Sequence, residues 1–97
     1  MRALQDEITE FLKERNWLDQ YQHPKELALS LTLEASELLE CFQWRTSEEA
    51  ITKEREHILE ETADVLIYAL QIIESLGEDA EKVVQRKLAK NKARNWK

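Results

Sequence analysis

Leu27-Ala28-Leu29-Ser30-Leu31-Thr32-Leu33-Glu34-Ala35-Ser36-Glu37-Leu38-Leu39 can be read in two ways, and the choice decides the fold. Its first seven residues alternate apolar and small or polar, as a strand would. A strand sends successive side chains to opposite faces and would part Glu34 from Glu37. Leu and Ala favour helix, no turn residue flanks the run, and Pro24 stands where a first helical residue belongs. The reading is therefore a helix from Pro24 to about Phe42. On it Leu27, Leu31, Glu34, Leu38 and Cys41 form one stripe, with a carboxylate in the middle of an apolar face.

Three residues apart on a helix means neighbours on one face, about 5–6 Å between Cβ atoms. Glu34 and Glu37 are such a pair. Glu61 and Asp64, within Glu60-Glu61-Thr62-Ala63-Asp64-Val65-Leu66-Ile67-Tyr68, are a second. Ionised carboxylates in an apolar setting cost several kcal/mol unless paired or bound to metal. Two such pairs make a cage for a cation. Oxygen-only donors favour Mg²⁺, or Mn²⁺ as a substitute, over softer metals. In a chain with 20 acidic residues most carboxylates form a solvated face, and Glu7, Glu10, Glu48, Glu49, Glu78 and Glu81 are assigned to it.

The surrounding chain reads as helix throughout. One Gly and one Pro in 97 residues, with Leu, Ala, Glu and Lys abundant, leave few places for turns. A first amphipathic helix spans about Met1 to Arg15, and Asn16 to His23 forms a connection. Thr46 followed by Glu49 is a capping-box signature that opens a third helical region. That region runs through Ile51 to Leu76, bent near Lys53 to Glu56 and stopped at Gly77. It is apolar nearly all round from Ala63 to Ile73, so it is expected to be the most buried element. Asp79 caps a last helix with a basic end. A single domain over residues 1–97 is expected, and a chain of this size gains by associating.

The net charge of −6 disfavours a nucleic-acid polymer as partner, while a small polyanion carried on a divalent metal is allowed. Lone Cys41, beside Leu38, Leu39 and Phe42, reads as a small buried apolar residue. The amino terminus lacks an apolar signal-like region and no apolar run reaches membrane-spanning length, which fits the cytoplasm. Glu54-x-x-His57 is one component of a di-iron carboxylate site, but the complete site needs two, and His23 has no Glu three residues before it. Phe11 and Phe42 read as core. Trp17 and Trp44 sit at helix ends among polar residues, where a flat ring could pack or could stack on a nucleobase. Tyr68, one turn beyond Asp64, reaches the same neighbourhood. The basic residues Lys87, Lys90, Lys92 and Arg94, with Asn91 among them, complement a helix dipole or could grip phosphates.

Glu34-x-x-Glu37 followed by Glu61-x-x-Asp64 resembles the signature of the MazG-like, all-α nucleoside triphosphate pyrophosphohydrolases. Arg15-Asn16-Trp17, Pro24, residues 37–44, residues 60–68, and Lys87 to Asn91 with Arg94 agree with it. The match covers roughly residues 10–96 and is most similar to the short, single-domain dCTP pyrophosphatase branch. The resemblance implies an all-α four-helix MazG-like bundle assembled as a homodimer, or as a tetramer made of two dimers. It also implies Mg²⁺-dependent hydrolysis of a dNTP, dCTP or a related or modified deoxynucleotide, to dNMP and pyrophosphate, as house-cleaning of the nucleotide pool. By position Glu34, Glu37, Glu61 and Asp64 would hold metal, with Glu34 or Glu37 as base. Lys87, Asn91 and Arg94 would contact phosphate, and Trp17, Trp44 and Tyr68 the base and sugar. Ile8 stands where some relatives place a polar base contact. A non-catalytic helical interaction module on the same scaffold is the contrasting expectation.

Overall fold

A computed structural model describes residues 1–94. The expected domain bounds of 1–97 therefore end beyond the described residues. Among these the chain is all-helical: α1 is Arg2–Glu14, a 3₁₀ turn spans Leu18–Gln22, α2 is Pro24–Glu40, α3 is Ser47–Ser75 and α4 is Ala80–Ala93. The alternating Leu run lies wholly inside α2, with Pro24 in its first turn.

Local chemistry places the boundaries. The Thr46 hydroxyl accepts from the Glu49 backbone N–H at 3.1 Å while the Glu49 carboxylate accepts from the Thr46 N–H at 2.8 Å, a complete capping box at the head of α3. The expected bend falls at Glu54, whose φ of −122° and ψ of 21° are not helical. Gly77 takes a φ of 74°, open to glycine without strain, and lets the chain turn from α3 into α4. Asp79 caps α4 by accepting from the Lys82 N–H.

The largest contact between helices is α2 against α3, while α1 packs on α3 and α4, and among the described residues α4 does not pack on α2. One buried cluster joins Ile8 and Leu12 of α1 to Leu70 of α3 and Ala80 of α4, with Tyr21 and Ile73 packed on it. Leu27, Cys41 and Ala50 are buried at the α2–α3 side. Cys41 is the small buried residue expected. Two other expectations are corrected. Phe11 is 47% exposed and stands edge-on to Trp17 instead of entering the core. The apolar α3 is not covered all round: Leu59, Leu66 and Ile67 face outward, as do Leu29, Leu33 and Leu39 of α2.

Gln5, almost fully buried, fastens the corner where α1, α3 and α4 meet. Its side-chain carbonyl accepts from the Ala80 N–H at 2.8 Å, and its amino group donates to Glu74 and to the Glu78 carbonyl. Arg2 adds ion pairs to Glu74 and Asp79. Gln5→Leu keeps the volume but leaves the Ala80 N–H buried without an acceptor, a penalty of about 1–3 kcal/mol. The expected result is a lower urea midpoint with an unchanged slope.

Candidate metal centre and the hollows beside it

The α2–α3 packing brings the two acidic pairs face to face. Glu34 of α2 and Glu61 and Asp64 of α3 each offer a carboxylate oxygen, and these oxygens lie within 4.8 Å of one another. Glu37, one turn along α2, is exposed and outside this three-way convergence. It meets Glu34 directly, and that hydrogen bond requires a proton on one of the two. The Glu34 carboxyl is pushed up to about 7, first by this hydrogen bond, then by burial and by the charges of Glu37, Asp64 and Glu61.

Glu61 carries the clearest sign of what this cluster suits. Its Oε1 faces His57 Nε2 at 3.6 Å, whereas its Oε2 is buried with no hydrogen-bond partner. A buried carboxylate oxygen without a donor, beside two further carboxylates, is satisfied by a cation better than by anything else at hand. The donor set is hard oxygen throughout, which suits Mg²⁺ or Mn²⁺.

Two hollows flank the cluster. The first, about 500 Å³, runs from Asp64 along α1 and is walled by Ile8, Phe11, Trp17, Ile67 and Tyr68, with Gln20 and Gln71 among its lining. Arg15 lies over both the Phe11 and the Trp17 rings, at 5.1 and 5.9 Å, and fixes this aromatic wall. The second, about 380 Å³, lies on the other side, bounded by Glu37, Trp44, Arg45, Glu54, His57 and Glu61. Trp44 is 97% exposed in a left-handed turn with φ 62°, a conformation costing a bulky residue about 1–2 kcal/mol. The Glu54 carboxylate at the α3 bend takes His57 Nδ1 at 3.1 Å and Arg45 at 3.6 Å. Glu54 and His57 therefore do face each other, but no second such pair accompanies them, and His23 borders a different recess with Gln20 and Leu27.

The chain thus gathers Glu34, Glu61 and Asp64, with Glu37 beside them, Trp17 and Tyr68 on one flank and Trp44 on the other. Lys87 lies midway along α4 and Asn91 and Arg94 at its end; among the described residues α4 packs on α1 and α3, and these three line neither hollow. Gln20 and Gln71 escaped sequence reading. The one available signal was a Gln within the apolar run from Ala63 to Ile73.

The MazG-like family model matches residues 29–96, including both acidic pairs. The chain belongs to the MazG-like family. Within it, the chain is 37% identical over 90 residues to dCTP pyrophosphatase 1 of Rattus norvegicus, covering 88% of this chain and 52% of that protein. The dATP/dGTP diphosphohydrolase of Cyanophage S-2L is 46% identical over 48 residues, covering 50% of this chain and 46% of its own length. The chain spans about half the length of the curated relatives it matches. A crystal structure of a pyrophosphatase from Archaeoglobus fulgidus DSM 4304 superposes with a TM-score of 0.83 at 40% identity, covering 94% of this chain and 87% of that one.

The MazG-like acidic cluster has a stability signature of its own. An acid whose pKa is raised on folding binds its proton more tightly in the native state, so stability falls as pH rises from the unfolded value of 4.5 through about 7. In EDTA the melting temperature is expected to drop across that window. Glu34→Gln should flatten the decline, as followed by circular dichroism.

Proposed function

We propose that the chain is a Mg²⁺-dependent nucleoside triphosphate pyrophosphohydrolase. It converts a dNTP, with dCTP or a related or modified deoxynucleotide as leading substrate, to dNMP and pyrophosphate. The observation that carries this is the buried, partnerless Glu61 Oε2 at the convergence of Glu34, Glu61 and Asp64. The names of the matched relatives, a dCTP pyrophosphatase and a dATP/dGTP diphosphohydrolase, support the reaction class. A scaffold without turnover would gain by replacing these buried charges with Leu.

Glu34, Glu37, Glu61 and Asp64 are the proposed ligands, with Mn²⁺ a substitute. Bound there, the metal would neutralise charge developing on the phosphates as the α–β bond breaks. The chain's own residues do the rest. Glu34 or Glu37 takes the proton from the attacking water. Trp17 and Tyr68 wall the 500 Å³ hollow that opens from Asp64 and would receive the base and sugar. Trp44 presents a free ring on the opposite flank for stacking. Lys87, Asn91 and Arg94 are proposed as phosphate contacts on the family resemblance alone. A single domain over residues 1–97 and a cytoplasmic site of action belong to the same proposal. Among the described residues no helix is long and apolar enough to cross a membrane.

The proposed enzyme works as a homo-oligomer, a dimer at least and a tetramer as the favoured state. The radius of gyration is 15.8 Å, against about 12.5 Å for a compact chain of this length. Accessible surface is 7613 Å², against roughly 5,800 Å² for a compact monomer of this mass. The excess of roughly 1,800 Å² per subunit, about twice that across a dimer, lies in the range that obligate homodimer interfaces bury. Leu29, Leu33, Leu59 and Leu66 supply an apolar surface for it.

A screen of dNTPs and NTPs with Mg²⁺, resolving pyrophosphate from orthophosphate, tests the reaction. Pyrophosphate and a nucleoside monophosphate are expected, and release of dNDP with orthophosphate would place the water wrongly. Asp64→Asn should abolish turnover and leave the helical spectrum intact. Sedimentation at micromolar concentration should show a dimer or larger species, and a monodisperse monomer would refute the assembly.

A further inference from the structure

The first hollow contains a polar device that neither metal binding nor aromatic stacking uses. Gln71, 2% exposed on the inner side of α3, donates from Nε2 to Gln20 Oε1 of the 3₁₀ turn at 3.0 Å. Both residues line the hollow that opens from Asp64. This bond uses one N–H of Gln71 and the carbonyl of Gln20. It leaves the Gln71 carbonyl as an acceptor beside the Gln20 amino group as a donor. Around them the walls are Ile8, Leu12, Phe11, Trp17 and Ile67, so a polar ligand edge entering here has few other partners. Glu7 also borders the hollow but is exposed.

A pair of amides differs from other buried polar pairs because it can be inverted. If both side-chain amides turn over, Gln20 donates to Gln71, and the groups left for a ligand exchange polarity at the same two places. A pyrimidine presents its variable edge in just these two forms. Cytosine offers an amino donor beside the N3 acceptor, and uracil or thymine offers a carbonyl acceptor beside the N3–H donor. Each is complementary to one orientation of the pair.

We propose that the Gln20–Gln71 amide pair reads the edge of the nucleobase and, by inverting, accepts amino- and oxo-substituted pyrimidines alike. The inference rests on the reading above that the hollow beside Asp64 receives the base. It assigns the chain a broad pyrimidine preference. A site with one fixed pattern of buried donors and acceptors rejects the wrong partner by several powers of ten, because its groups are left unpaired. An invertible pair has no wrong orientation to offer.

The test is direct binding, which does not depend on turnover. The intact chain with Mg²⁺ is titrated calorimetrically with dCMP and dUMP at pH 8, where a carboxylate introduced by substitution stays ionised. Wild type should bind the two with dissociation constants within about tenfold of each other. Gln71→Glu can only accept, so Gln20 must donate to it and turns its own carbonyl to the ligand; two acceptors suit neither base, and dCMP and dUMP should both weaken at least about tenfold. Gln20→Glu, at a less buried position, accepts from Gln71 and likewise leaves two acceptors towards the ligand, so the same loss of both nucleotides is expected in a second background, which guards against a folding defect in the first. Gln71→Leu should weaken both ligands and leave the ratio unmoved. Undiminished binding of both nucleotides by both Glu variants, a strong wild-type preference for one base, or no binding of either nucleotide by the wild type would overturn the proposal. Pyrophosphate release is assayed separately: if the wild type binds both nucleotides alike, both Glu variants lose them, and no dNTP is cleaved, the reaction assigned above fails while the base-reading pair stands.

Discussion

Like charges held together between two helices are the constraint on which the rest of this structure depends. Glu34, Glu61 and Asp64 converge to within 4.8 Å only because α2 and α3 pack along their length. That packing spends positions which could have carried Leu on groups that repel each other. The cost is visible in the Glu34 carboxyl, pushed up to about 7 and sharing a hydrogen bond with Glu37, and in a Glu61 oxygen with no donor. A cation placed among these carboxylates would offset their mutual repulsion. The bend at Glu54, the Arg45 and His57 contacts there, and the turn that displays Trp44 all lie against this cluster.

The same packing explains why the single chain is open. With α2 and α3 facing each other across carboxylates, their outer Leu residues stay largely exposed among the described residues, and α1 and α4 pack on α3 far less extensively than α2 does. The buried cluster of Ile8, Leu12, Leu70 and Ala80 is small for a domain of this length. Polar fastenings make up part of the difference at that end, where Gln5 and Arg2 tie α1 to the Glu78–Ala80 corner. In the proposed oligomer, association would bury the apolar surface that α2 and α3 leave bare.

Much of this was legible in the residues. Helix starts and stops followed from Pro24, the Thr46 and Glu49 pair, Gly77 and Asp79, because each acts through its own backbone conformation or a bond to a near neighbour. The 3,3 spacing of carboxylates predicted two facing pairs, and the structure brings three of the four to one point. Tertiary facts were harder to see. Gln5 carries no local sign that its amide caps a distant helix, and Phe11 has helical spacing suited to a core it does not enter. Leu33 and Leu39 have the hydrophobicity of core residues, but nothing local says whether a neighbour in the same subunit will cover them. The Gln20–Gln71 pair joins residues distant in sequence and becomes apparent only when the 3₁₀ turn folds back on α3.

Cation binding by the facing carboxylates is the claim on which the functional reading stands, and titration of the metal-free chain with Mn²⁺ by calorimetry tests it without substrate. Binding should be saturable, reversed by EDTA, and weakened at least about tenfold by Glu61→Gln, which keeps the shape of the side chain and removes the charge of its partnerless oxygen. Equal Mn²⁺ affinity in the wild type and Glu61→Gln, or no binding in the wild type, would contradict it.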